Sequence, residues 1–493
     1  MFQKIVLSSV LFVACSVVAF FLLIKVIDFN EYKPKLQKAI KENTGYDVSI
    51  KGDISLSLSP VGVSITDVDI TNPQYRSEAP FAQLGSFDVA LDISALIQKE
   101  IKVKHIRVDG LQLNLEKSKD GRYNYELLSS NKAQEKKNKD INQTQPPQET
   151  LLSLINVKVV KFSNVAMKYT DAITTTNIAA DKINMDISDI NYDTLKHGIQ
   201  GLSFVAQASI DKIQYGSLSI NAITMPLTMK EGVMVSEQLS YTVFDTPVHG
   251  SCKFDFSGKQ PKISLKGKVI GLKLPVLSKS LWNQDLLEGN ANGDFKLSFF
   301  LGNALQIKST LNGFVNLFGE EITVKGYNIE KMLSLFSTPQ KGMKDFSLGT
   351  WMTASREGFK GGNTFFKEVS AKVAISYSEA HVEDVAFATQ NNRVALKGAV
   401  NIVDEKLIDF RVAILDALGC ASFEQNIQGT ISQPILKLDD VALSITKNLV
   451  SSLGIKPKSS AKKVRSDDEN CTLFYEGSVK HPVIDTSDVA PQQ

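Results

Sequence analysis

The sequence predicts a mostly β protein: a single N-terminal transmembrane helix followed by an elongated, curved antiparallel β-sheet with a few short helices. Three observations carry that prediction. An uncharged apolar run fills residues 5–24. Alternation of apolar and polar residues then recurs from about residue 47 to about residue 440. Helix-period patterns are confined to brief stretches between these runs. The 493 residues, 43% hydrophobic and 22% charged, are a globular mix, long enough for several domains or one extended array.

The apolar run from Ile5 to Ile24 would span about 30 Å as a helix, the thickness of a bilayer's hydrocarbon core. No small-residue cleavage site precedes Lys25, as a secretory signal would require. Ala14-Cys15 offers the end of a lipoprotein signal, but Phe12 fits that motif poorly and the residues after Cys15 are apolar or serine rather than polar. Residues 1–27 are therefore read as a head and an uncleaved anchor. Residues 28–128 come next as a helix and the start of the sheet. In the helix Tyr32, Leu36 and Ile40 recur on one side, Pro34 sits in the first turn, and Gly45 is placed to stop it.

The segment NTGYDVSIKGDISLSLSPVGVSITDVDITNP (43–73) then puts Val48, Ile50, Ile54, Leu56 and Leu58 on even positions, with polar residues between them. After Pro60, Val61, Val63 and Ile65 restart the alternation in the other phase, as a returning strand would. Alternation continues through FDVALDI, breaks at a short helical SALIQKE, and resumes in IKVKHIRVDGLQLNLEKS. Residues 129–150 are polar with charges of mixed sign, and are read as a flexible linker.

Residues 151–440 return to strand texture, with helix-like PVLSKSLW (275–282) and NIEKMLSLFS (328–337). The clearest late strands carry Val394, Leu396, Val400 and Ile402 in one phase and Ile408, Phe410, Val412 and Ile414 in another. Residues 441–493 are read as a short helix and a loosely held polar tail. The texture implies on the order of 20–25 strands, a sheet ~100–120 Å long if continuous.

Little in the chain points to catalysis, metal or nucleic acid. With 55 Lys and Arg against 53 Asp and Glu, the net charge of +2 gives no electrostatic footprint for DNA or RNA. The five histidines are scattered, and HVED (381–384) reads as a solvated strand end. Motifs for a nucleophile elbow, a phosphate loop or CxxC are missing, so neither an enzyme nor a cofactor is expected. Of the four cysteines, Cys420 and Cys471 bracket the end of the strand series, and are either a disulfide or two unrelated buried thiols. The apolar face is satisfied either by closed sandwiches or by leaving a long groove open to acyl chains. The adjacent anchor and the length of the strand series favour the groove, lined first by Val48, Ile50, Ile54, Leu56, Leu58, Val61, Val63 and Ile65.

The order of motifs resembles the AsmA family of bacterial inner-membrane proteins. The anchor leads into a short helix, Thr44-Gly45, the turn Gly52-Asp53-Ile54-Ser55, and a close through Asp67, Val68, Ile70, Asn72 and Pro73. DGRYNYELL resembles the family's D-G-R-x-N-W segment, with Tyr125 in place of tryptophan, and VKFSNVAMKYTDAITTTNIAADKINMDISDI resembles the segment after the family's variable linker. VKGYNIEKML, GGNTFFKEVSAKVAISYSEAHVEDVAFAT and NIQGTISQPILKLDD resemble its C-terminal portion, with Asn328 where aspartate is usual.

The resemblance implies a single-pass protein of the bacterial inner membrane, anchored through residues 5–24 with a cytoplasmic N-terminus and the main body in the periplasm. It implies membrane phospholipid as cargo, in support of outer-membrane lipid homeostasis, and outer-membrane or periplasmic assembly proteins as further partners. In that oxidising compartment Cys420 and Cys471 are expected to pair. The competing expectation is an anchored scaffold for outer-membrane protein assembly that carries no lipid.

Overall fold

The computed structural model describes residues 28–58, 61–77, 79–92, 94–95, 102–127, 157–193, 195–196, 198–331, 333, 360–436 and 473–482. The anchor run and the polar linker at 129–150 lie outside them. Among the described residues no helix is long and apolar enough to cross a membrane. The chain divides into two compact units, 1–232 and 233–493, and is mostly β in both.

The first unit opens with helix α1 (Lys33–Thr44), which stops where Gly45 adopts φ 82° and donates its N–H to the Lys41 carbonyl. The strands come after it: β1 (Asp47–Ile50), β2 (Ile54–Leu58), β3 (Val61–Thr71), β4 (Ala82–Leu91), β5 (Val103–Asp109), β6 (Gln112–Lys117), β7 (Val159–Asp171), β8 (Thr176–Tyr192), β9 (Leu202–Tyr215) and β10 (Leu218–Lys230). β1 and β2 both pair with β3, which pairs onward with β4. β4 is followed by β5 and β6 side by side, then β7, β8, β9 and β10. The expected purely antiparallel sheet is corrected here. β7 runs parallel to both β5 and β6, because the chain crosses residues 118–158 before it rejoins the sheet.

The run 47–58, expected as one strand, is also divided. Lys51 and Gly52 turn their N–H groups to the Asp67 carbonyl, and Asp53 donates its N–H to the Thr66 hydroxyl. As a result Val48 and Ile50 pair with Ile70 and Val68, whereas Ile54 and Leu56 pair with Ile65 and Val63.

The second unit contains β11 (Val233–Val243), β12 (Thr246–Asp255), β13 (Lys262–Lys273), helix α2 (Leu274–Trp282), β14 (Leu287–Phe300), helix α3 (Ala304–Thr310), β15 (Asn312–Tyr327), β16 (Lys360–Ser376), β17 (Glu379–Ala388), β18 (Arg393–Asn401), β19 (Leu407–Leu415), β20 (Ala421–Gly429) and β21 (Pro434–Leu436). From β11 to β21 each strand pairs antiparallel with the next. Two-residue turns at Phe244-Asp245 and Tyr377-Ser378 hold both residues at positive φ, the twist that closes such hairpins. Asn328 accepts the Lys331 N–H and so starts the next helical turn, a capping role open to asparagine and aspartate alike.

Here the sheet is packed. Leu274 of α2 joins Ala291, Ile322 and Phe366, and Leu333 joins Val394 and Ile414. On the alternate face, Phe474, Tyr475 and Val479 cover an alanine stripe of Ala386, Ala388, Ala395 and Ala413. Two expectations are corrected by this packing. The tail expected to be loosely held contains a docked segment at 473–482, and Asp384, read as a solvated strand end, is only 7% exposed.

Asp384 is buried because it accepts hydrogen bonds from Tyr475, Ser370 and Ser478 and pairs with Lys372 at 3.0 Å. In β19 the expected phase also shifts. Asp409, at φ 44°, is an extra residue, so Leu407 rather than Ile408 pairs with Val400 and continues the face of Phe410 and Val412.

Candidate functional site

The candidate site is the apolar face of the first unit, and it is built by register. Directly paired residues point to the same side of a sheet. Leu56 meets Val63, Val63 meets Val89, and Val89 meets Ile106. Ile106 meets Val160, Val160 meets Ile187, and Ile187 meets Ala206, which meets Leu227. A second apolar row runs in parallel through Ile54, Ile65, Phe87, Val108, Phe162, Met185, Ala208 and Met225.

The longer strands change the parity of their apolar residues at a common level, and β8 changes it a second time at Asp189, φ 52°. β3 steps from Ile65 to Val68 across Asp67, which lies at φ 47°. β4 steps from Leu84 to Phe87 across Gly85, and the break between β5 and β6 falls at Gly110, φ 65°. β7 steps across Asn164 at φ 53°, β8 across Lys182 at φ 49°, and β10 across Ala222 at φ 51°. These positions adjoin one another. Gly85 donates to Gly110, Gly110 to Ser163, the Asn164 side chain to Asp109, and Lys182 pairs with Asp211 at 3.3 Å. A left-handed residue interrupts strand alternation and bends the strand. The simultaneous parity change therefore keeps the apolar residues on one side of a creased sheet.

From β2 to β8 this face is open to solvent to a degree that a packed core is not. Ile54, Ile65, Phe87, Phe162, Met185 and Met225 are half-buried, and Leu56 and Val63 are 37% and 38% exposed, whereas Val108 and, at the β9–β10 end, Ala206, Ala208 and Leu227 are buried. In the second unit the corresponding kind of residue, Val394 or Ile414, is 3% or 5% exposed under its helical cover. Of the residues expected to line a groove, Ile54, Leu56, Val61, Val63 and Ile65 come together on paired β2 and β3, and Val48 and Ile50 lie beyond the crease. Ile50 is buried. The Leu58 side chain lies outside the described residues, although its backbone pairs with Val61.

The opposite face is polar. Lys51 bonds Asp69, Gln83 donates to Asp69 at 3.1 Å, and Lys161 pairs with Asp186 at 3.0 Å. At one corner of the unit, two stretches far apart in sequence meet. Asn72 donates to the Glu126 carbonyl at 2.6 Å, Tyr46 to the Tyr125 carbonyl at 2.7 Å, and Asn124 to the Asn114 carbonyl at 2.6 Å. A small cleft lies among Asn72, Tyr75, Phe81 and Asn124, with the Tyr46 and Phe81 rings 5.3 Å apart. Beside it, burial and then the Asp171 carboxylate push the Tyr169 phenol up to about 12.

That corner is made from the N-P and D-G-R-x-N motifs. Residues 1–200 match the model of the AsmA family. The resemblance read from those motifs is borne out for this part of the chain, and the AsmA match ends just before β9. The C-terminal segments that also resemble AsmA proteins lie beyond the matched residues. No curated protein matches the chain.

Among the described residues no group of three or more His, Cys, Asp or Glu is placed to hold a metal ion. Cys252 is a buried free thiol whose pKa is raised by that burial. Cys420 is disulfide-bonded, and its expected partner Cys471 lies outside the described residues.

The row of turning residues is the part of the site that sequence reading misses. A parity change every strand, at Asp, Gly, Asn, Lys or Ala, is visible in the sequence only once the strands are aligned.

Proposed function

We propose that the protein holds phospholipid acyl chains against the apolar face of its first unit and so supports outer-membrane lipid homeostasis from the inner membrane. In this reading residues 5–24 anchor it and the body stands in the periplasm. The single observation that carries the proposal is the apolar face that runs by register from β2 to β10 and is half-exposed from β2 to β8 at every row position but Val108. Apolar side chains there replace the bilayer around lipid tails at ~0.8 kcal/mol per buried methylene, while head groups stay in water. Equivalent rows along the face let a tail move from one to the next with little net change, so no catalytic group is needed.

The proposal is tested by native mass spectrometry of the protein released from its membrane and washed free of detergent. Retained phospholipid supports it. A lipid-free protein from cells rich in phospholipid contradicts it. The scaffold reading is favoured by the packing of the second unit, where helical and C-terminal segments cover both faces around β17 to β19.

A further inference from the structure

In the second unit, α2 ends in Leu281 and Trp282, which are 50% and 53% exposed. Asn283, at φ 54°, turns the chain sharply into β14. Between the indole, the start of β14 and the end of β15 lies an apolar recess of about 410 Å³, lined by Trp282, Gln284, Leu286, Leu287 and Val324.

Its floor is fixed. Leu287 and Val324 are cross-strand partners packed against Leu274, Ile322 and Phe366. Lys325 donates its N–H to the Leu286 carbonyl at 2.8 Å, and its ammonium group holds Asp285 and Glu288 at 2.9 Å each. An indole half in water beside an apolar hollow leaves apolar surface that a ligand can cover, and such hollows mark binding sites.

We infer that this recess is a hydrocarbon-binding subsite that takes one acyl chain of an amphiphile, with Trp282 as its rim. The inference rests on the lipid reading of the protein and assigns a specific site within it. The chemistry of the walls selects the occupant. Gln284 is the one polar side chain of the lining, the nearby charges neutralise one another in part through Lys325, and Lys325 N–H and Leu286 C=O satisfy each other. A peptide strand would find no free ladder there. A methylene chain needs none.

The chain has two tryptophans, so Trp351→Phe in the full-length protein leaves Trp282 as the sole indole. The probe is monomeric 9,10-dibromostearate, a tail-borne quencher, with stearate as the control. Saturable quenching by the brominated acid alone is expected, weakened about tenfold when Val324→Glu places a carboxylate in the recess, a change of ~1.4 kcal/mol. Circular dichroism checks that this variant is folded, and Leu286→Ser gives a milder second variant with the same expected direction.

Quenching absent at saturating dibromostearate overturns the inference. So does quenching by brominated vesicles alone, which would make Trp282 a bilayer contact, or a self-associated state that buries Trp282 without any lipid. Phospholipid retention measured on the same preparation keeps the two ideas apart. Lipid retained without quenching removes this subsite and leaves the function standing, whereas loss of both removes both.

Discussion

Leu56 and Val63 face each other across β2 and β3, and more than a third of each residue is open to solvent. Two branched apolar residues paired and exposed at the N-terminal side of a sheet leave burial energy that a ligand can recover. The open face makes a charge cheaper there than in a core. Ile54→Asp is expected to cost about 1–2 kcal/mol and to leave the protein folded, because water reaches the half-buried site. Ile414→Asp, at a site 5% exposed, is expected to cost ~4 kcal/mol or more. Urea unfolding of the two variants measures the difference.

The crease is expected to depend on residue count more than on residue type. Deleting Asp67 would turn Val61, Val63 and Ile65 to the polar side relative to Val68 and Ile70, and is expected to prevent folding. Replacing it with glycine, which accepts positive φ readily, is expected to be tolerated. Ala222→Gly should raise stability by up to ~1 kcal/mol, since an alanine at φ 51° carries left-handed strain. Thermal unfolding of the three variants tests this ordering.

Much of the architecture is legible in the sequence, and the limits have physical causes. Period-two alternation is local, so the strands of both units and the stop of α1 at Gly45 can be read directly. Pairing is not local. Nothing near Gln112 or Val159 signals that β6 and β7 will run parallel across a linker. The docking of Phe474, Tyr475 and Val479 is equally hidden, because its socket of alanines is spread over three strands and carries no pattern of its own. Asp384 reads as solvated since its partners Tyr475 and Ser478 lie about ninety residues away.

Burial alone would raise the Asp384 pKa, but hydrogen bonds from Tyr475 and Ser478 and the Lys372 ammonium hold it well below the usual carboxylate range. A depressed folded pKa contributes stability that is present above the unfolded value, near ~3.9, and is lost as pH falls toward the folded one. The docked segment 473–482 is therefore expected to loosen below about pH 4. Asp384→Asn should weaken docking at neutral pH and flatten this acid dependence. Amide exchange at Tyr475 and Val479 across pH 2.5–7 reads both effects.

We expect Cys420 to be bonded to Cys471, which would tether the segment at 473–482 next to the strand it covers. The crosslink is expected to add a few kcal/mol of stability. Thiol labelling of the unfolded, unreduced protein should modify Cys252 and miss both Cys420 and Cys471. Labelling of Cys471 under those conditions rules the pairing out.

The most direct measurement places a photocrosslinking residue at Leu56 or Ile65 on the apolar face, and at Ser55 or Ser64 on the other, in the full-length protein in living cells. Illumination and then mass spectrometry are expected to find phospholipid attached at Leu56 and Ile65 and absent at Ser55 and Ser64. Equal labelling on both faces, or protein partners at Leu56 and Ile65 with no lipid, would contradict the account.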